Sequence, residues 1–333
     1  MINIVVFSVW IFGSAIFSLL AGCAIWFHLR TIKRFKIGAM AAIALIFILQ
    51  TVAIASSRLG SPLTFAAAMA FVIFVMGVML WWITMQPSLT REWADDVAHT
   101  AMVDLRDKHI SVHNIRDFDW HDGGGYDARW KSETYSLNEI EGVEVILSYW
   151  AHPAIAHTLV SFGFQDGRHL VFSAEIRKKR GQEFSTIGGF FRNYELAMVA
   201  SEERDIVYLR TNVRGERVYR YPINVEPALI REMLLCYADK ANDLALNPSF
   251  YNTLTSNCTT VVFDLVRALE PAFPFDYRVL LSGYLPEFLY DHNLLGNSDL
   301  PFAEVKNKAL IRPVLVDEYA RFSTIIRNRP EVS

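Results

Sequence analysis

Three long uncharged runs before residue 86 limit what this chain can fold into. Residues 4–27, IVVFSVWIFGSAIFSLLAGCAIWF, hold no charged side chain, and about 20 apolar residues suffice to cross a bilayer. A second run extends from about Ile37 to Ala55 and a third from about Leu63 to Met85. Residues 1–85 therefore read as two or three membrane-spanning helices, with Trp81 and Trp82 at an interface. Hydrophobic residues make up 52% of the chain, and the excess over an ordinary globular domain lies almost wholly in this region.

The stretch SLLAGC, ending at Cys23, matches the pattern that precedes a lipid-modified cysteine. MINIVVF lacks the positive charge of a signal peptide, and the apolar run continues past Cys23, so a spanning helix is expected. Arg30, Lys33, Arg34 and Lys36 follow the first run. Such a basic loop belongs on the cytoplasmic side, and two further crossings would return residue 86 to the cytoplasm. Three topologies remain open: a cytoplasmic main domain, a re-entrant later segment, or a basic loop that lies outside.

Residues 86–104 read as a linker and 105–333 as one α+β domain, with enough chain for a single well-cored unit. Strand-like runs occur at HISVHNI, GVEVILSYW, HTLVSFGF, HLVFSAEIR, LAMVASE and DIVYLRTNV. Helical periodicity dominates from Glu226 to Ala245 and from Cys258 to Leu269. Strands first and helices later indicate α+β, not alternating βαβ units.

A formal net charge of −3 and the lack of a basic, aromatic-studded stripe exclude nucleic acid as the expected partner. HDGGGYD has glycines but neither the lysine nor the strand-to-helix setting of a phosphate-binding loop. RDFDWHDGGGYDARW clusters Asp117, Asp119, His121, Asp122 and Asp127. Their spacing matches neither a zinc site nor a calcium loop, so a solvated hairpin is expected. No cofactor and no metal are expected. The arginines of SEERDIVYLRTNVRGERVYR read mostly as surface ion pairs, with an anionic head group as the other use.

The 3 cysteines form neither a disulfide framework nor a CxxC pair. Cys23 and Cys236 sit in apolar or helix-like runs and read as small hydrophobes. Cys258 differs. In FYNTLTSNCTTVVFDLVRAL, Ser256 or Asn257 is a candidate helix cap, which puts Cys258 in the first helical turn. Unpaired N–H groups and the macrodipole favour a thiolate there.

A thiol nucleophile needs a base, usually histidine, and a group to orient it. Of the 9 histidines, His157 directly precedes the strand TLVSFGF, whereas His152 precedes a proline and reads as a turn residue. QDGR, residues 165–168, is a turn between two apolar strands. Pairing Phe164 with His169 sets Thr158 opposite Glu175, with His157 one step away. Glu175 is a carboxylate inside an apolar strand, where a charge is costly without a partner. It is the candidate orienter; an ion pair with Arg177 or another arginine is the plainer alternative.

VILSYWAHPAIAHTLVSFGFQDGRH, FSAEIRK, GGFFRNYEL, ERDIVYLRTNVRGE and FYNTLTSNCTT, in this order, resemble the Lnb-type lipoprotein N-acyltransferase domain over roughly residues 105–270. His152 departs from the small residue usual at its position. The resemblance implies N-terminal transmembrane helices followed by a circularly permuted papain-like cysteine-transferase domain. It also implies acyl transfer from a phospholipid donor, through a thioester on Cys258, to the N-terminal amine of a lipoprotein acceptor. His157 would act as base and then acid, Glu175 would hold its ring, and N–H groups at the helix start would stabilise the oxyanion. The implied location is the bacterial inner membrane with a periplasmic catalytic domain. Two other classes stay open on the residues alone: a cysteine peptidase or peptidoglycan amidase, and a non-catalytic membrane scaffold.

Overall fold

The computed structural model describes residues 2–29, 33–56, 61–121, 123–150, 152–269, 276–296 and 299–328. Arg30 and Asp122 lie outside the described residues. The chain forms two compact units, residues 1–87 with 185–193, and residues 88–184 with 194–333.

The first unit contains α1 (Ile2–His28), α2 (Lys33–Ser56) and α3 (Pro62–Thr84), each long and apolar enough to cross a membrane. At about 1.5 Å per residue each exceeds the roughly 30 Å of a hydrocarbon core, so none has the shortness of a re-entrant segment. The α1 helix runs unbroken through Cys23. Trp10 Nε1 donates to Gln50 Oε1 at 3.1 Å, a polar tie between α1 and α2. Phe17 meets Phe71 and Phe74 edge-on, joining α1 to α3. Ser61 caps α3 by accepting from the Thr64 N–H, with Pro62 as its first residue. Residues 185–193 belong to this unit: Phe191 stacks on Phe27, and Arg192 donates to the Trp82 carbonyl at 2.8 Å.

The second unit is built on one sheet. Its strands are β1 (Met102–Arg106), β2 (His109–Arg116), β5 (Trp130–Ser136), β6 (Ile140–Tyr149), β7 (His157–Phe164), β8 (His169–Arg177), β9 (Glu195–Glu202), β10 (Arg217–Pro222) and β11 (Leu310–Ile311). The short strands β3 (Asp119–Trp120) and β4 (Tyr126–Asp127) form a separate hairpin. The order across the sheet is β1-β2-β9-β8-β7-β6-β10-β11, with β5 also paired to β2. Of these pairings β2–β9 is parallel and the rest are antiparallel. The helices are α4 (Glu203–Tyr208), α5 (Pro227–Leu246), α6 (Cys258–Leu269), α7 (Tyr277–Leu280), α8 (Leu285–Asp291), α9 (Phe302–Ala309) and α10 (Phe322–Asn328). The fold is mixed α+β.

Alternation along β7 divides the core. Val160, Phe162 and Phe164 point into the larger cluster, with Ile230, Leu234 and Tyr237 of α5 and Phe288 of α8. Leu159 points the other way, with Ile206 and Val207 of α4 and Phe322 of α10. Helices cover both faces of the middle strands.

Two sequence expectations change. DIVYLRTNV, expected as a strand, is α4 followed by a π-helical turn, Leu209–Val213. Its β-branched residues suit a strand locally, but tertiary contacts override that preference. Asp205 accepts from Arg116 Nε at 2.8 Å, the Phe118 N–H at 3.0 Å and Trp120 Nε1 at 2.8 Å, which fixes the helix under the sheet. The second change is the β7–β8 register, which pairs Gly163 with His169 and Leu159 with Ser173. The Phe164 N–H donates to the Arg168 carbonyl, so the loop holds three residues and Gly167 takes the left-handed conformation at φ 83°. The register therefore shifts by one, and it brings His157 itself opposite Glu175.

Candidate active site

Cys258 owes its position to two asparagine side chains. Asn252 Oδ1 accepts from the N–H groups of Leu254 and Thr255 and so shapes the preceding turn. Asn257 Oδ1 accepts from the N–H groups of Thr259 and Thr260 at 2.9 and 3.0 Å, while its Nδ2 donates to the Thr253 carbonyl. Asn257 is thus the cap, and Cys258 opens the 12-residue α6. The cap occupies two of the N–H groups expected at the oxyanion. The Cys258 N–H is the one in the first turn that Asn257 does not take.

His157 begins β7 on the face opposite Val160, beside Ser173 and Glu175 of β8. Its Nε2 lies 2.8 Å from Ser173 Oγ and 3.1 Å from Glu175 Oε1, and Ser173 Oγ donates to the same carboxylate oxygen at 2.8 Å. The same imidazole interacts with the Cys258 thiol. Thr158, the next residue, turns its hydroxyl to Thr259 at 3.3 Å and its N–H towards Cys258 Sγ. The thiol and the imidazole therefore come from opposite faces of the sheet and meet at the start of β7.

Glu175 is an ion-pair partner and a histidine partner at once. Arg210 NH2 donates to Glu175 Oε1 at 3.0 Å, and NH1 donates to the Ile206 carbonyl at 2.8 Å. The Arg210 residue is 4% exposed, so it departs from the surface pairs expected of that arginine-rich segment. Arg177, the other partner considered, instead donates to the carbonyls of Val97 and Ala98. The His157 and Glu175 side chains are 14% and 18% exposed, so solvent screens them little.

Burial opposes charge on all three groups, and their mutual attraction exceeds it for each. Burial would lower the His157 pKa, but Glu175 and the Cys258 sulfur push it up to about 9. Burial would raise the Cys258 thiol, but His157, the Thr158 N–H and the Thr259 hydroxyl bring it below its ordinary value. Glu175 is held well below the usual carboxylate range by His157 and Arg210, against the effect of its burial. The lowered thiol and the raised imidazole each favour the charged form of the other, a thiolate beside an imidazolium. Cys236 contrasts, since burial raises its thiol.

Sequence reading passed over Ser173 and Arg210. Ser173 stands two residues from Glu175, hence on the same strand face, which is a usable signal. Arg210 escapes local sequence reading because the β-branched residues of its segment suggest a strand. In the RDFDW cluster, Asp117 and Asp119 pair with Arg129 and Arg204. Among the described residues no group of three His, Cys, Asp or Glu side chains is placed to hold a metal ion.

A family model described as the Lnb N-terminal periplasmic domain matches residues 126–283, just under half of the chain, a segment that contains His157, Glu175 and Cys258. No curated protein and no solved structure matches the chain significantly.

Proposed function

From the premise that residues 126–283 belong to the Lnb N-terminal periplasmic domain family, we propose that the chain is a membrane-anchored cysteine acyltransferase. It moves an acyl chain from a phospholipid to the N-terminal amine of a lipoprotein. The observation that carries this reading is the pairing of Cys258, at the start of α6, with a His157 ring that Ser173 and Glu175 hold. The histidine strand precedes the nucleophile helix, the order of a permuted papain-like transferase.

In the first step the Cys258 thiolate attacks the ester carbonyl of the phospholipid. The carbonyl electrons move to oxygen, where the Cys258 N–H stabilises them. As the intermediate collapses, the lysophospholipid oxygen leaves and takes the proton of His157, and the acyl group remains as a thioester. In the second step the lipoprotein amine attacks the thioester. Neutral His157 accepts the amine proton and Cys258 leaves as thiolate, which restores the starting ion pair. Glu175 stabilises the imidazolium in both steps, and Arg210 and Ser173 hold Glu175.

Three helices of spanning length suit this chemistry, since donor and acceptor both reside in a bilayer. A periplasmic domain after three crossings puts the N-terminus in the cytoplasm and Arg30, Lys33, Arg34 and Lys36 outside, against the usual charge rule. An alkaline phosphatase fused after the last residue is active under this topology, because it folds only where its disulfides form; an inactive fusion with an active cytoplasmic reporter removes the lipoprotein as acceptor.

The full chain, incubated with phospholipid and a diacylglyceryl lipopeptide bearing a free amine, is expected to yield N-acylated lipopeptide and lysophospholipid in equal amounts. Peptide or amide cleavage without acyl transfer contradicts the proposal and favours the peptidase or amidase reading. A Cys258 inert to alkylation favours the scaffold.

A further inference from the structure

We propose that the apolar cavity alongside α6 is the acyl-chain pocket of this site, and that Val266 sets the length of chain it accepts. The inference rests on the acyltransferase reading and adds to it the place and the limit of the chain.

The cavity has a volume of about 310 Å³, the lower end of the range of about 300–1,000 Å³ for small-molecule pockets. Val145 and Val160 form its floor on the sheet, Leu229 is on its α5 side, and Thr259, Val262 and Val266 line its α6 side. Thr259 is the one polar residue among those lining it. A peptide or a charged head group placed there would lose its hydrogen bonds to water and find almost none in return. A hydrocarbon chain loses nothing and leaves water.

Position names the occupant more closely. Thr259 follows the nucleophile directly in sequence, and its Oγ1 lies 3.9 Å from Cys258 Sγ. Val160 stands two residues along β7 from Thr158, on the same strand face, and Thr158 directs its N–H at the same sulfur. The α6 wall of the cavity thus begins beside Cys258 Sγ, and the sheet floor begins two residues along β7 from Thr158. From Thr259 the α6 wall continues through Val262 to Val266, one face of the helix at i, i+3 and i+7. That run covers about 10 Å along the axis. A chain attached at Sγ and laid along this face meets Val266 at its far part.

The test uses the full-length protein in nanodiscs, offered an equimolar mixture of phosphatidylethanolamines with C8 and C16 chains. Intact-mass spectrometry gives the ratio of C16 to C8 adduct on Cys258, a quantity that a uniform loss of folded protein does not change. V266W is expected to lower that ratio at least tenfold, and V266A to leave it equal or raise it. A ratio within twofold of wild type in V266W overturns the pocket assignment, as does an equal fall in V266A. If the wild type forms no adduct with either lipid, the acyltransferase reading fails, and the pocket is then judged by binding. The fluorescent fatty acid cis-parinaric acid should bind the Cys258→Ala protein and bind V266W in that background at least tenfold more weakly. Equal binding by the two proteins overturns the pocket.

Discussion

The two faces of the central sheet bring opposite chemistry to the start of β7. On one face His157, Ser173, Glu175 and Arg210 form a part-buried chain of polar contacts, and Asp205 with Arg116 continues the polar theme beneath β2. On the other, the Cys258 helix borders a cavity walled almost wholly by apolar side chains. Charge placed in a low-dielectric interior survives only with partners, and the polar face supplies them. The contrast teaches a division of labour. In the proposed mechanism one face tunes the protonation of the thiol, and the other receives the acyl chain that the thiol binds.

Removing the point where the faces meet has the largest expected effect. Cys258→Ala should lower acyl transfer by at least about 1,000-fold, and His157→Ala by a similar factor. Because the two act as one unit, the double substitution should cost little more than either alone. Multiplicative losses measured in the same lipopeptide assay would show that the faces contribute separately.

Glu175→Gln keeps the shape of the polar face and removes its negative charge. A loss of about 100-fold in turnover is expected, within the range for impaired acid–base catalysis. The pH profile should move as well. In the proposed mechanism acylation needs the thiolate, which forms on the acid side, and the imidazolium, which is lost near pH 9. Glu175 raises the His157 pKa, so the alkaline limb should shift to lower pH in Glu175→Gln. An unmoved limb would mean that Glu175 only packs against the ring.

Arg210→Met should shift the same limb the other way, because the guanidinium lowers the His157 pKa. It also leaves Glu175 with one fewer cationic partner, at an expected stability cost of about 3 kcal/mol. Parallel shifts in the two variants would contradict the electrostatic account of this face. The smallest effect belongs to the Cys258 side. Asn257→Ala removes the α6 cap and should cost about 1 kcal/mol in thermal unfolding of the full chain, with little change in either pH limb.

Much of this arrangement was legible in residues. The cap at Asn257, the helix from Cys258 and the two hairpin strands follow from side-chain chemistry and alternation over short windows, where local rules are strong. The offset of one between Thr158 and His157 came from reading QDGR as a four-residue loop, when a left-handed Gly167 closes a three-residue one. Arg210 was out of reach for a different reason. Asp205 binds Arg116, 89 positions away, and no local pattern reports a contact that distant. The apolar cavity is equally non-local, since Val145, Leu229 and Val266 meet only once the helices fold onto the sheet.

A thiolate–imidazolium pair at the start of β7 is the centre of the proposed mechanism. The most direct measurement is the rate of iodoacetamide alkylation at each cysteine against pH, resolved by peptide mass spectrometry. Cys258 is expected to react as a thiolate below the ordinary thiol pKa of about 8.5, ahead of Cys236, whose thiol is raised by burial. In His157→Ala the Cys258 midpoint should rise past that ordinary value, because burial then acts without its counter-charge. A wild-type Cys258 that titrates at or above about 8.5, or a midpoint that His157→Ala leaves in place, would contradict the pair and the mechanism built on it.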